Sequence, residues 1–282
     1  MKHSLNIKEG LPESDKMKWY FKIIFAFLSS FLVLFVSAQD VKRRQTLEHA
    51  IFRYGGLERA DTTQKIIYLT FTGGDFNDGG KLINRILKKK DIPAHFFFTG
   101  DFYRDPENKK LIKSLKNRSH YLGPHSDKHL LYASWNNRDS LLVSKEEFTA
   151  DLNNNYKSMF EFGIHKKDSP LFMPPYEWYN QQISNWTAGL GLILINYTPG
   201  TRSNADYTTP DMGKQYIGSE EIYNNILDYE SNSCNGLNGF ILLIHIGTAP
   251  ERTDKFYFYL EDLITELSLR GYQFNKLTDF FN

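Results

Sequence analysis

Ile66-Ile67-Tyr68-Leu69-Thr70-Phe71-Thr72-Gly73-Gly74 begins an alternation of strand-like and helix-like patterns, and the continuation of that alternation decides the fold. Residues 66–71 read as a buried strand, 82–90 as an amphipathic helix and 94–99 as a second strand. No G-x-G-x-x-G phosphate loop comes after the first strand, which argues against an open dinucleotide-binding sheet. The alternation continues through a helix over 108–116 and a short strand over 121–123. Ser144-Lys145-Glu146-Glu147 is a capping box opening a helix whose apolar positions Phe148, Leu152, Tyr156, Met159 and Phe160 recur at helical period. Further strands are expected over 171–173, 191–195 and 240–244, with helices near 179–188 and 219–229. A last helix over 255–269 stops at an Arg270-Gly271 cap before a strand over 272–274. Repeated strand-then-helix units imply parallel strands. About seven of them predict an α/β fold: a single distorted (β/α) barrel, with its chemistry on the loops after the strands.

That domain spans 65–282. Residues 39–64 form a polar lead-in with a short helical pattern at Leu47, Ile51 and Phe52, expected to pack on the outside. Residues 1–38 read as leader and signal peptide. Met17, Lys18 and Lys22 precede an apolar run over 23–36, and Val36-Ser37-Ala38 offers small residues for cleavage before Gln39. Ser29-Ser30 interrupts that run, which is short for a stable membrane anchor. The mature chain is therefore expected to be secreted or periplasmic. Met17 is an alternative start. Export usually permits disulfides, but Cys234 is the only cysteine, so the fold must rest on core burial. A composition 41% hydrophobic with net charge +1 supports a full core and excludes an electrostatic nucleic-acid binder.

His125-Ser126-Asp127-Lys128-His129 supplies two imidazoles four residues apart, a spacing that on a helical turn closes on one metal ion. Two solvated histidines are the bland alternative. The pair follows the strand over 121–123, Tyr176 follows the strand over 171–173 and His245 follows that over 240–244, so all lie where a barrel places its chemistry.

In that order these segments resemble the NodB-type polysaccharide deacetylases of carbohydrate esterase family 4, metal-dependent enzymes that remove acetyl groups from sugars. The resemblance runs from about Lys65 to the C-terminus. His125, Ser126 and His129 match the family's H-[ST]-x-x-H motif, which implies that the histidines are metal ligands and Ser126 braces their loop. Leu242-Leu243-Ile244-His245 matches a later motif, implying a leucine, Leu242, in the acetyl pocket and His245 as general acid. Met173-Pro174-Pro175-Tyr176 stands where the family has R-x-P-Y: the Tyr176 amide is implied as an oxyanion donor, while Met173 lacks the arginine's charge. Pro175 and Trp178 fall on the substrate side, and Trp178 or Tyr179 could stack on a sugar ring.

The first motif departs most. Where the family reads T-F-D-D-G, with a general base and a metal ligand, this chain reads Thr70-Phe71-Thr72-Gly73-Gly74. Asp75 and Asp78 lie just downstream, and either would complete a two-His, one-carboxylate site. Asp75 is the favoured ligand, because Asp78 has the competing option of capping the next helix. The fourth motif is also changed. Its region contains Arg202 and Asp206, either a contribution to the site or a polar surface loop.

The resemblance implies a divalent metal ion, zinc by its ligand types, and a partner that is an acetylated polysaccharide or oligosaccharide. A metal-bound water would attack the acetyl carbonyl, with His245 returning a proton to the leaving group. The base would be Asp75, Asp78, Glu177 or no residue. The rival function is a carbohydrate-binding protein that keeps the barrel without the catalysis.

Overall fold

The computed structural model describes residues 47–281; the apolar run over 23–36 and the cleavage point after Ala38 lie outside them. Among the described residues no helix is long and apolar enough to cross a membrane.

Nine strands are described: β1 (Ile51–Arg53), β2 (Gly56–Arg59), β3 (Ile66–Gly73), β4 (His95–Phe98), β5 (Tyr121–Pro124), β6 (Leu171–Phe172), β7 (Ile193–Leu194), β8 (Phe240–His245) and β9 (Gln273–Phe274). Around them lie α1 (Gly80–Lys90), α2 (Gly100–Arg104), α3 (Lys109–Asn117), α4 (Lys145–Phe160), α5 (Gln181–Gly189), α6 (Ser219–Asn232), α7 (Leu260–Leu269) and α8 (Thr278–Phe281). The main sheet runs β1-β2-β8-β3-β4-β5, with β9 beside β3, and β6 pairs β7 separately. Strands β8, β3, β4 and β5 are parallel, whereas β2 is antiparallel to β8. Single bonds complete the ring: the Met173 amide donates to the Pro124 carbonyl at 3.4 Å, and the Asn196 amide to the Leu57 carbonyl at 2.7 Å. The result is the expected distorted barrel, its staves β2 through β8.

The period of two along each strand divides the core. Tyr68, Phe97, Tyr121, Leu171, Met173, Ile195, Ile241 and Leu243 form one cluster, the lumen. Their neighbours Ile67, Leu69, Phe71, Phe96, Phe98, Leu242 and Ile244 pack outward against the helices. The capping box at Ser144 and Glu147 forms in full, and Gly271, with φ +87°, lies just past the end of α7.

Three expectations are corrected. Ile51 and Phe52 lie in strand β1, not a helix, and the lead-in does not stay outside: Leu57 of β2 is fully buried in the lumen. A two-residue turn at Tyr54-Gly55 lets this segment supply the stave that a parallel unit would otherwise provide. The segment over 255–269 begins as a 3-10 turn, Phe256–Phe258, before α7. The short helix α2, capped by the Thr99 side chain, is too brief to show a periodic pattern.

The lumen also holds a histidine. His95 is fully buried, with Nδ1 bonded to the Leu69 carbonyl at 3.0 Å and Nε2 accepting the Leu277 amide at 2.7 Å. Both nitrogens are committed to the neutral ring, and burial, with smaller contributions from His120 and Lys276, pushes its pKa down to about 4. The unfolded chain, near 6.5, therefore binds the extra proton first as pH falls. Stability is expected to be intact above that value and to drop by roughly 3 kcal/mol from this group as pH falls toward 4, measured by urea unfolding across that range. A flat urea midpoint would contradict a neutral, buried His95.

Candidate active site

Strand register places four inward-facing residues on one rim of the barrel. Thr72 of β3 lies opposite Phe97 of β4 and opposite His245 of β8, while His125 and Met173 come directly after β5 and β6. The Thr72 hydroxyl is buried and has no hydrogen-bond partner. Gly73 faces the other way: a Cβ there would fall 2.7 Å from Ile246 Cγ2 and 2.9 Å from Phe98 Cδ1, so packing fills the space where a side chain would begin.

The His125–His129 segment is a loop and not the helical turn expected from its spacing. Ser126 and His129 have φ of +70° and +54°, which fold the chain back and bring the imidazole centroids to 5.0 Å. Helix α4 holds this strained backbone. Asn155 accepts the His125 amide at 2.9 Å, and the Asp151 carboxylate accepts the Asp127 and Lys128 amides, both at 3.1 Å, and the Tyr132 hydroxyl at 2.8 Å. Ser126 braces the loop as expected, its hydroxyl accepting the Leu130 amide at 3.2 Å. His125 Nδ1 lies 2.9 Å from the Met173 carbonyl, a contact that fixes a donor there and leaves Nε2 as a lone-pair ligand. Met173 thus serves the site through its backbone, although its side chain lacks the arginine's charge. Burial, then the neighbouring histidines, keeps both rings neutral: His125 is held well below its ordinary pKa, and His129 is pushed down to about 4.

Two lone-pair nitrogens, the first two corners of the expected metal site, therefore stand together. The carboxylate corner is not assembled: among the described residues no group of three His, Cys, Asp or Glu side chains lies close enough to hold an ion. Asp78 neither caps α1 nor faces the histidines. Gly79 occupies the cap position, and the Asp78 carboxylate accepts the Thr248 amide at 2.9 Å and the Tyr257 hydroxyl at 2.7 Å and pairs with Lys255 at 2.9 Å. Asp75 is exposed on the same loop and acts on His129 through its charge.

Opposite the histidine pair, His245 Nδ1 meets Asp206 Oδ1 at 2.6 Å, while Asp206 Oδ2 accepts the His245 amide at 2.9 Å. Burial opposes charging of this imidazole, but the Asp206 carboxylate outweighs it and raises the His245 pKa above its ordinary value. Asp206 is itself buried, which corrects the reading of its region as a polar surface loop. Arg202 does fit that reading, exposed and bonded to the Gln215 carbonyl. The Tyr207 ring lies 5.2 Å from His245. Glu177 completes the group: burial first, then Asp206 against the opposing charge of His245, pushes its carboxyl up to about 7.

The Pro-Pro-Tyr turn is a 3-10 turn, Pro175–Glu177, in which Tyr176 and Glu177 both have positive φ, +58° and +52°. Its internal bonds run from the Glu177 and Trp178 amides to the Pro174 and Pro175 carbonyls, leaving the Tyr176 amide outside them. The Tyr176 ring lies 4.4 Å from that of His129. Pro175 is buried within the turn. Leu242 is corrected: it packs outward against the helices, and Leu243, one step along the period of two, faces the lumen. Trp178 is half-buried between Trp135, with centroids 5.0 Å apart, and the Arg138 guanidinium, 3.5 Å over its ring. Trp135 and Arg138 carried no sequence signal, because an aromatic in a polar loop has no periodic context.

Comparison with known proteins agrees with this geometry. A family model described as polysaccharide deacetylase matches residues 59–195. The chain is 24% identical over 245 residues to the peptidoglycan-N-acetylmuramic acid deacetylase PdaA of Bacillus subtilis, covering 86% of this chain and 82% of that protein. The solved structure of PdaA, a family 4 carbohydrate esterase, superposes with a TM-score of 0.62 at 22% identity, over 80% of this chain and 85% of that one. A peptidoglycan-N-acetylglucosamine deacetylase of Bacillus cereus is 28% identical over 218 residues, 77% of this chain and 88% of that protein. A family 4 pseudoenzyme from Bacillus anthracis superposes with a TM-score of 0.62 at 18% identity, over 82% of this chain and 70% of that one. With its ordered histidine motifs on a barrel rim and its altered first motif, the chain has the fold of the family 4 carbohydrate esterases and is similar to the polysaccharide deacetylases over residues 59–195.

Proposed function

We propose that the protein is an exported, metal-dependent carbohydrate deacetylase that hydrolyses acetyl groups from an acetylated polysaccharide or oligosaccharide. The observation that carries this reading is the His245–Asp206 pair facing His125 and His129 across one rim. The names of the two Bacillus relatives support an acetylated amino-sugar polymer as the substrate class.

His125 and His129 would hold a divalent ion, zinc by ligand type, with Asp75 turning inward as the third ligand. Such an ion supplies an acidified water and polarises the acetyl carbonyl. The chain's own groups do the rest. His245, whose pKa the Asp206 carboxylate raises, holds a proton for the departing amine or alcohol. The Tyr176 amide donates to the oxygen that gains negative charge. Thr72 cannot act as a base and Asp78 is bound to Lys255, so Glu177, poised near neutrality, takes the water proton. A second reading, glycan binding without turnover, is favoured by one observation: Thr72 and Gly73 occupy the first-motif positions and, among the described residues, no third metal ligand is assembled.

Acetate release from acetylated chito-oligosaccharides, with and without added zinc and chelator, separates the two readings. His245→Ala is expected to lower release by about 10² to 10⁴ with metal binding intact. Wild-type protein that binds the oligosaccharide but frees no acetate would favour the binder. In a metal titration, Asp75→Asn is expected to weaken affinity and Asp78→Asn to leave it unchanged; equal affinity of wild type and Asp75→Asn would remove Asp75 from the ligand set.

Asp206→Asn should lower the His245 pKa, read by NMR titration of the imidazole in the metal-free protein. An unmoved titration would show that Asp206 does not set the charge of His245. For export, N-terminal sequencing of the mature protein is expected to begin at Gln39; recovery of the residues before it in a membrane fraction would favour an anchored form.

A further inference from the structure

The loop between His129 and α4 is a small hairpin that presents an indole to solvent. Ala133 bridges Leu141, the Ser134 amide donates to the Ser140 carbonyl at 2.9 Å, and the Leu142 amide donates to the Tyr132 carbonyl at 2.9 Å. Side-chain bonds fasten its tip to the Pro-Pro-Tyr segment. Trp178 Nε1 donates to the Ser134 carbonyl at 3.3 Å, Arg138 to the Tyr179 carbonyl at 3.2 Å, and Asn180 Nδ2 to the Arg138 carbonyl at 2.8 Å. The Arg138 guanidinium is also stacked on Trp178 at 3.5 Å and on Tyr54 at 4.5 Å.

This scaffold buries part of Trp178 and leaves Trp135 55% exposed and Tyr176 46% exposed. Large aromatic surface held rigidly in water gains nothing for folding, and such patches mark binding sites. The rings also form a line toward the chemistry: Trp135 lies 5.8 Å from Tyr176, and Tyr176 lies 4.4 Å from His129.

We infer that Trp135 is a glycan-stacking platform that binds a sugar neighbouring the one at the histidines, so that the protein recognises an oligomer of acetylated sugars and not an isolated residue. The inference rests on the reading of the site as one for acetylated sugars. The C–H face of a pyranose suits an open indole face, and the exposed Asn136, Asn137, Asp139 and Ser140 beside it offer hydrogen-bonding groups suited to hydroxyls. Trp178, the stacking residue expected from sequence, instead supports the platform from beneath.

Calorimetry with a chito-oligosaccharide and with monomeric N-acetylglucosamine tests this in wild type, Trp135→Ala and Trp135→Phe, each checked for folding by circular dichroism. Trp135→Ala is expected to weaken oligomer binding about tenfold or more without changing monomer binding, and Trp135→Phe to restore most of it. Equal oligomer affinity for wild type and folded Trp135→Ala overturns the platform, as does wild type that binds no oligomer. So does a concentration-dependent dimer that Trp135→Ala abolishes, since the face would then belong to a second copy. Trp135-dependent binding without acetate release overturns the deacetylase reading and leaves the platform standing. Acetate release with binding indifferent to Trp135 does the reverse.

Discussion

The hydrogen bond from the Asn196 amide to the Leu57 carbonyl joins the end of β7 to β2 and so closes the barrel, and the geometry of the site depends on it. One such bond contributes only about 1 kcal/mol net, but leaving its two groups unpaired in the lumen wall would cost more than that. The segment after β7 is also fastened to the turn after β6 and to strand β8. Asn196 uses its side chain to bond the Glu177 carbonyl at 3.1 Å, while the Thr198 amide donates to the Ile241 carbonyl at 3.0 Å. The segment after β7 then delivers Asp206 to His245. Without the antiparallel stave β2 there is no wall for β7 to lean on.

Charge balance explains how the rim tolerates its divergence. A buried ion needs a partner, and removing one member of a pair is costly. Here the Asp206 carboxylate favours charge on the His245 imidazole, while burial disfavours it on the two metal-type histidines. Thr72 adds no charge, and the space beyond Gly73 is filled by Ile246 and Phe98. The nearby Asp78 is diverted to Lys255, Tyr257 and the Thr248 amide, so a carboxylate close to the site instead fastens the loop after β3 to the loop after β8.

Four of the eight non-glycine residues with positive φ among the described residues lie where positioning is needed. Ser126, His129, Tyr176 and Glu177 all take positive φ, which costs energy for residues other than glycine, and each lies within or beside the site. Buried acceptors on α4 hold the His125, Asp127 and Lys128 amides beside the first two, and the rigid Pro174-Pro175 entry leads into the second pair. The hairpin carrying Trp135 adds a fastened outer surface to the same region.

The sequence by itself determined the alternation of strands and helices, the barrel class, the histidine pair and His245, because each depends on local period or on residues within a few positions of one another. It also marked the altered first motif, since Thr72 and Gly73 are visible as letters. The tertiary structure alone decided the rest. Whether the lead-in packs outside or becomes a stave depends on a strand distant in sequence, β8, and Asp206 became a partner of His245 only because barrel closure brings the two together. Leu242 and Leu243 are equivalent in composition, and only the register of β8 says which one faces the lumen. Asp78 and Asp75 are likewise the same residue type on one loop, separated by the fact that Lys255, far along the chain, reaches one of them and not the other.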